Sequence, residues 1–198
     1  YLAGMPPVIR PLRFCRYRPK VPRMSTTLLY ALVMAVAQIV VNLISFFLGY
    51  QTDKMSSGGW FGFVQLAVSI LILALGIKAV RDEQEGKYIT YGKGVATGVL
   101  IVLYSTIIGV IYSYIHLTYI NPNFPDYFVE ASRAKWVAAG MSESAMENAE
   151  KGVRWFTRPL VWSAFGAIMS LVFGTVISLL IAIFLKRNPP EGDRLVSA

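Results

Sequence analysis

Catalysis needs acids, bases, nucleophiles or ligands held in groups, and this sequence offers few of them. It has one histidine, His116, and one cysteine, Cys15. A lone cysteine excludes an intrachain disulfide and a cysteine metal cage, and a lone histidine excludes a polyhistidine site. A proton-relay or general-base role at His116 requires a partner such as a carboxylate. None is adjacent in sequence, although Asp126 lies close enough to fold back. The plainer account is an interfacial imidazole, about one turn from the outer end of a long apolar run, bonded to a carbonyl or to water. There is no Gly-x-Gly-x-x-Gly fingerprint, phosphate loop, zinc spacing or nucleophile elbow. Gly58-Gly59 and the set Gly92, Gly94 and Gly98 read more simply as turn or packing glycines. No catalytic residue, metal site or cofactor is therefore expected, and the chain is not expected to be an enzyme.

A second group of polar side chains lies inside apolar runs. Gln38, Asn42 and Ser45 share one helical face, and Gln65 and Ser69 share another. Amides in hydrocarbon need partners, because water is not there to supply them. Gln38 or Asn42 is expected to hydrogen-bond across to Gln65 or to a backbone carbonyl. The alternative is a polar lining for a solute path. The structural role is preferred, since no intramembrane acid, base or charge pair accompanies the amides, as ion-coupled transport usually demands.

Small residues form a third pattern. Gly166, Ser170, Gly174 and Ser178 recur at every fourth position of the last apolar run. Ser105, Gly109 and Ser113 repeat the spacing in the third run, which opens near Gly94 and Gly98. Such rows let two backbones approach closely. Packing of the third run on the fourth is the first expectation, and contact with another subunit is the alternative.

These residues must be positioned by elements suited to lipid. The chain has 198 residues, enough for one domain, of which 55% are apolar and only 15% charged. Soluble domains average roughly 25% charged. Mean hydropathy is +0.52. A spanning helix needs about 20 mostly apolar residues. Residues 26–50, 60–80, 95–119 and 159–185 each meet this. The one charge among them is Lys78, near an end, where its stem can carry the ammonium to the interface. Four such helices would leave nothing to cover them in a soluble protein. The expected fold is all-α: an integral membrane four-helix bundle with an outer amphipathic helical hairpin between the third and fourth spans.

Lys and Arg set the orientation. Arg10, Arg13, Arg16, Arg18, Lys20 and Arg23 precede the first span; Lys78, Arg81, Lys87 and Lys93 sit around the second loop; Lys186, Arg187 and Arg194 follow the last span. The first loop has only Lys54, and the Arg133, Lys135, Lys151, Arg154 and Arg158 of the long third loop count less, because much of that charge lies far from the membrane ends. Both termini are therefore expected to be cytoplasmic. Residues 1–24 form a basic, proline-rich segment, 25–187 the four-helix domain, 120–158 its outer loop and 188–198 a tail. Met24-Ser25 reads as a native start, which leaves residues 1–23 as an extension, an added segment or a genuine tail. Its six basic residues are each worth about 1 kcal/mol near an anionic leaflet, so lipid headgroups are the first expected contact. An acidic partner is the second.

In the outer loop, Asn121-Pro122-Asn123-Phe124-Pro125 is expected to end the third span. Asp126 to Ala139 reads as a short amphipathic helix closed by Gly140. Ser144 with Glu147 has capping-box spacing and is expected to start a second helix. The two form a hairpin expected to lie against the bilayer or the mouth of the bundle, with Phe128, Trp136 and Val137 as its contact residues.

Tyr88-Ile89-Thr90-Tyr91-Gly92-Lys93-Gly94, then a helix rich in small residues, then Tyr114-Ile115 and Asn121-Pro122-Asn123-Phe124, resembles the domain-of-unknown-function 4199 family. Gly140-Met141-Ser142-Glu143-Ser144 is similar to it as well. The resemblance covers roughly residues 25–187. It implies a small bacterial membrane protein, mostly of Bacteroidota, with four helices in the inner membrane and an extended outer loop. It implies no activity, so no catalytic residue carries over. The arginine-rich stretch before Met24 departs from the usual family start. The expected role is a non-enzymatic accessory or scaffold subunit of a larger inner-membrane assembly. Its partners would be the lipid bilayer and other membrane subunits, without nucleic acid. The alternative is a small transporter or channel component.

Overall fold

A computed structural model describes residues 25–187. The basic set from Arg10 to Arg23, Cys15 and the tail from 188 lie outside the described residues. Six α-helices follow in order. They are α1 (Thr26–Phe47), α2 (Trp60–Asp82), α3 (Tyr91–Ile115), α4 (Phe124–Ala138), α5 (Glu143–Phe156) and α6 (Pro159–Leu185). A π-helical turn, His116–Ile120, prolongs α3. Among the described residues there is no strand; one isolated antiparallel bridge joins Ile89 to Arg187.

The ends of the helices follow from local chemistry. Ser25 caps α1 by accepting from the Leu28 amide, and the chain leaves that helix through Gly49, whose φ of +83° suits a residue without a Cβ. The third span starts at Tyr91, not 95, because the Thr90 hydroxyl accepts from the Lys93 amide and so caps an earlier turn. Pro125 does not help to end that span. It sits in the first turn of α4, where a missing N–H leaves no hydrogen bond unmade. Ser142, not Ser144, caps α5 by accepting from the Ala145 amide, and the two serine hydroxyls bond each other at 3.3 Å.

Four helices, α1, α2, α3 with its π turn, and α6, are long and apolar enough to cross a membrane. Their faces are distributed the opposite way to those of a soluble bundle. Leu29, Val33, Val36, Val40, Ile44 and Phe47 form an exposed stripe along α1. Phe184 of α6 is 84% exposed, whereas Ser178, Ser163 and His116 are almost fully buried. Soluble monomers rarely expose apolar patches beyond a few hundred Å². Polar groups inside and aliphatic groups outside are what hydrocarbon solvent requires.

α3 packs against α1, α2 and α6. Ala31 and Met34 of α1, Leu73 of α2, and Ile101 and Val102 of α3 form the main apolar contact. Ile77 and Val80 with Ile89 form a second one, beside the bridge to Arg187. α4 and α5 pair as a hairpin, and α4 also rests on the single turn at Met55–Ser57. The hairpin and the α1–α2 connection therefore share one end of the bundle. The bridge closes the other end. Arg154 joins α5 to α4 through Asp126 at 2.6 Å, and those hydrogen bonds, with one to Glu150, hold its guanidinium above its ordinary pKa. Phe128 packs on Trp162, with ring centres 5.7 Å apart. Trp136 lines a groove with Met146 of α5, and Val137, in the last turn of α4, is 60% exposed, as a residue that meets a bilayer would be.

Candidate functional site

The two small-residue rows diverge along their length. Near the bridged end α3 and α6 are as close as backbones allow. A Cβ on Gly174 would lie 2.6 Å from both Val102 methyls, and one on Gly98 would lie 2.7 Å from Ser178 Cβ. A Cβ on Gly94 would lie 3.3 Å from that of Ala182. Ser178 turns its hydroxyl back to the Gly174 carbonyl at 2.7 Å, so it spends no donor across the interface. Ser105 does the same with the Val102 carbonyl. Toward the hairpin, a Cβ added at Gly109 or Gly166 would find nothing within 4 Å. There the helices are linked by hydroxyls: Thr106 with Ser170 at 3.0 Å, and Ser163 donating to Ser113 at 3.0 Å.

The space opened by this divergence is a cavity of about 590 Å³ between α1, α2, α3 and α6. Drug-sized ligand sites run from roughly 300 to 1,000 Å³. One wall carries the amides Gln38, Asn42 and Gln65 together with Ser69; the facing wall carries Trp162, Met169 and Phe173. Among the described residues, no Asp, Glu, Lys or Arg lines it.

Gln38 donates through Nε2 to the Gln65 carbonyl at 3.1 Å and to the Ser69 hydroxyl. This crosslinks α1 to α2. Gln65 takes part through its backbone, and its side-chain amide has no hydrogen-bond partner among the described residues. Asn42 belongs to a different group. The Tyr112 hydroxyl donates to Asn42 Oδ1 at 3.0 Å and also lies 3.1 Å from His116 Nδ1. His116 Nε2 lies 3.0 Å from Gln51 Oε1, and Gln51 Nε2 donates to the Asn42 carbonyl at 2.9 Å. The four residues close a ring across α1, α3 and the loop after α1. Asn121, set at the end of the π turn, donates to the Gln51 carbonyl at 3.2 Å and holds that loop down.

The ring constrains proton positions. Gln51 Oε1 can only accept, so His116 Nε2 carries a hydrogen. A neutral ring then has a bare Nδ1, which competes with Asn42 Oδ1 for the one Tyr112 hydrogen. A proton added at Nδ1 would donate to the Tyr112 oxygen and leave that hydrogen to Asn42 Oδ1. His116 therefore bonds two side chains, not a carbonyl or water, and Asp126 instead pairs with Arg154.

Reasoning from the sequence alone misses Tyr112 and Gln51. Tyr112 carries a signal: it stands four before His116, on the face that also carries Ser105, Gly109 and Ser113. Gln51 carries none, because it lies past the end of α1, where no period relates it to the spans.

The family model described as Protein of unknown function (DUF4199) matches residues 29–187. No curated protein and no solved structure matches the chain.

Proposed function

The chain belongs to the DUF4199 family, and from that premise we propose a multi-pass protein of a bacterial inner membrane that holds a small solute within its helices. Both termini face the cytoplasm in this reading, the α4–α5 hairpin lies outside, and the basic residues before Met24 rest on lipid headgroups. The protein serves as a small transport or channel component, without catalysis of its own. The observation that carries this is the cavity of about 590 Å³ at the depth of the apolar helices, lined by amides and hydroxyls. Gln38 and Asn42 close on protein partners, whereas the Gln65 side-chain amide lines the cavity with no hydrogen-bond partner among the described residues.

The test uses Gln38→Cys, Asn42→Cys and Gln65→Cys, one at a time, in a chain whose Cys15 has been changed to Ser. An impermeant maleimide added to intact cells should label them slowly but measurably, while Ser144→Cys labels fast and Lys87→Cys labels only after lysis. Labelling of the three cavity positions only after denaturation, by a membrane-permeant maleimide as well as by the impermeant one, would remove the solute reading, and rapid labelling at Lys87→Cys in intact cells would reverse the orientation.

A second reading, an accessory or scaffold subunit of a larger assembly, is favoured by the hairpin. Val137 is 60% exposed and Trp155 57% exposed, on elements that otherwise carry charged residues. Photocrosslinking from Val137 to another membrane protein supports it; crosslinks to lipid alone count against it.

A further inference from the structure

We propose that the cavity takes an uncharged, lipid-soluble molecule with a carbonyl or hydroxyl head, which enters sideways from the bilayer between α2 and α6. This rests on the reading of the cavity as a solute site and names what fills it.

The absence of charge comes first. Among the described residues, none that lines the cavity is acidic, Lys or Arg. An ionised ligand would lie unpaired in a low-dielectric site, and an isolated buried charge is far costlier than a buried amide. The lining is mixed: Gln38, Asn42 and Gln65 stand on α1 and α2, and Trp162, Met169 and Phe173 stand on α6, where Ser163 and Ser170 already pair with α3 hydroxyls. A ligand that satisfies both walls has hydrogen-bonding atoms on one side and an apolar body on the other. The free Gln65 amide supplies a donor to a carbonyl or hydroxyl oxygen and an acceptor for a hydroxyl hydrogen.

The route of entry follows from exposure. Leu66 of α2 and Phe173 of α6 both line the cavity, yet they are 42% and 59% exposed. The two therefore mark where the lining of the cavity meets the lipid-facing surface. Gly166, with nothing within 4 Å of a Cβ position, keeps α6 thin beside it. The opening is framed by aliphatic and aromatic side chains on the faces that meet lipid, so a molecule already dissolved in the bilayer reaches it without crossing water.

The experiment uses the full chain in zwitterionic nanodiscs, with Cys15 changed to Ser and Trp60, Trp136 and Trp155 changed to Phe. Trp162, in the cavity wall, is then the sole indole. The probe is dimethylnaphthoquinone, a neutral bicyclic diketone that quenches indole emission. Its comparator is methylnaphthoquinone sulfonate, the same ring bearing a fixed charge. Saturable quenching by the neutral probe is expected, with the sulfonate weaker by at least about tenfold, the penalty of one poorly solvated charge at a conservative value. Gln65→Met, close in volume and unable to hydrogen-bond, should weaken the neutral probe by about tenfold, because a buried carbonyl then goes unsatisfied. Equal binding of the sulfonate overturns the proposal without the need for any variant at Gln65. Linear, unsaturable quenching that Gln65→Met leaves unchanged overturns it too. If the cavity cysteines label with maleimide but neither outcome favours the neutral probe, the ligand class fails and the solute site stands. If they do not label and nothing saturates, both fall.

Discussion

Two glycines on one helix offer a direct measure of the packing described above. Gly174 and Gly166 lie eight residues apart on the same face of α6. A methyl group added at Gly174 would lie 2.6 Å from both Val102 methyls and 3.1 Å from Val102 Cβ. Carbon atoms settle at about 3.5–4.0 Å, so something must give by about 1 Å. Val102 cannot turn aside: it is 1% exposed, and a β-branched side chain in a helix has one strongly preferred rotamer. The helices must separate, at an overpacking cost of about 1–3 kcal/mol. Better helix propensity returns up to about 1 kcal/mol. Gly174→Ala is therefore expected to destabilise by about 0–2 kcal/mol net. Gly166→Ala meets nothing within 4 Å and keeps the propensity gain alone. The two identical substitutions should differ by about 2 kcal/mol, or about 4–8 °C in unfolding midpoint for a chain of this size. Thermal unfolding in mild detergent, followed by circular dichroism, reads the difference. Gly98→Ala and Gly109→Ala on α3 should reproduce it. Equal midpoints for Gly174→Ala and Gly166→Ala, or a lower one for Gly166→Ala, would refute the account of which stretch of the two helices is in contact.

Tyr112→Phe should cost about 1–2 kcal/mol in the same assay, since it strands polar groups on both Asn42 and His116, whereas Tyr114→Phe, on the exposed face, should stay within about 0.5 kcal/mol. Arg154→Gln severs the tie between α5 and α4, but both side chains are well exposed; the loss should be under about 1 kcal/mol and should vanish in about 1 M salt. Unfolding measured in low and high salt checks this, and an effect that persists in salt would show that the hairpin leans on that pair more than its exposure allows.

The four long helices are legible in the sequence because lipid demands an excess of apolar residues that no other solvent tolerates, and such an excess is a property of composition and length. Helix ends are less so. Thr90 and Ser142 cap by a single side-chain oxygen, and a sequence with Ser142 and Ser144 two apart does not say which of them will turn inward. Pro125 stops a helix when read from one side and starts one when read from the other. For the site, the amides on α1 and α2 stand out because amides inside apolar runs are costly. Gln38 and Gln65 do meet, through a carbonyl. The alternation of tight and open stretches along a single glycine–serine row does not show. The spacing of Gly109 and Gly166 is the same as that of Gly98 and Gly174, and only the angle between the helices separates a packing glycine from one beside a void. The ring around His116 depends on a loop residue, Gln51, brought back by the turn at Gly49.

The bridge between Ile89 and Arg187 gives the molecule a pinned end. There the segment after α2 and the chain leaving α6 are joined by two backbone hydrogen bonds of 3.1 Å, next to the glycines that lock α3 to α6. At the opposite end α6 is held by hydroxyl pairs and stacked rings, all of which tolerate sliding. From Gly174 to Pro159 is about 22 Å of helix, so a tilt of about 5° at the pin carries the free end by about 2 Å. The upper stretch of α6 is in effect a lever whose fulcrum lies below the void. Slight play at the fulcrum shifts Trp162 and Pro159 most and Phe173, beside the pin, hardly at all, while the bridged end stays shut.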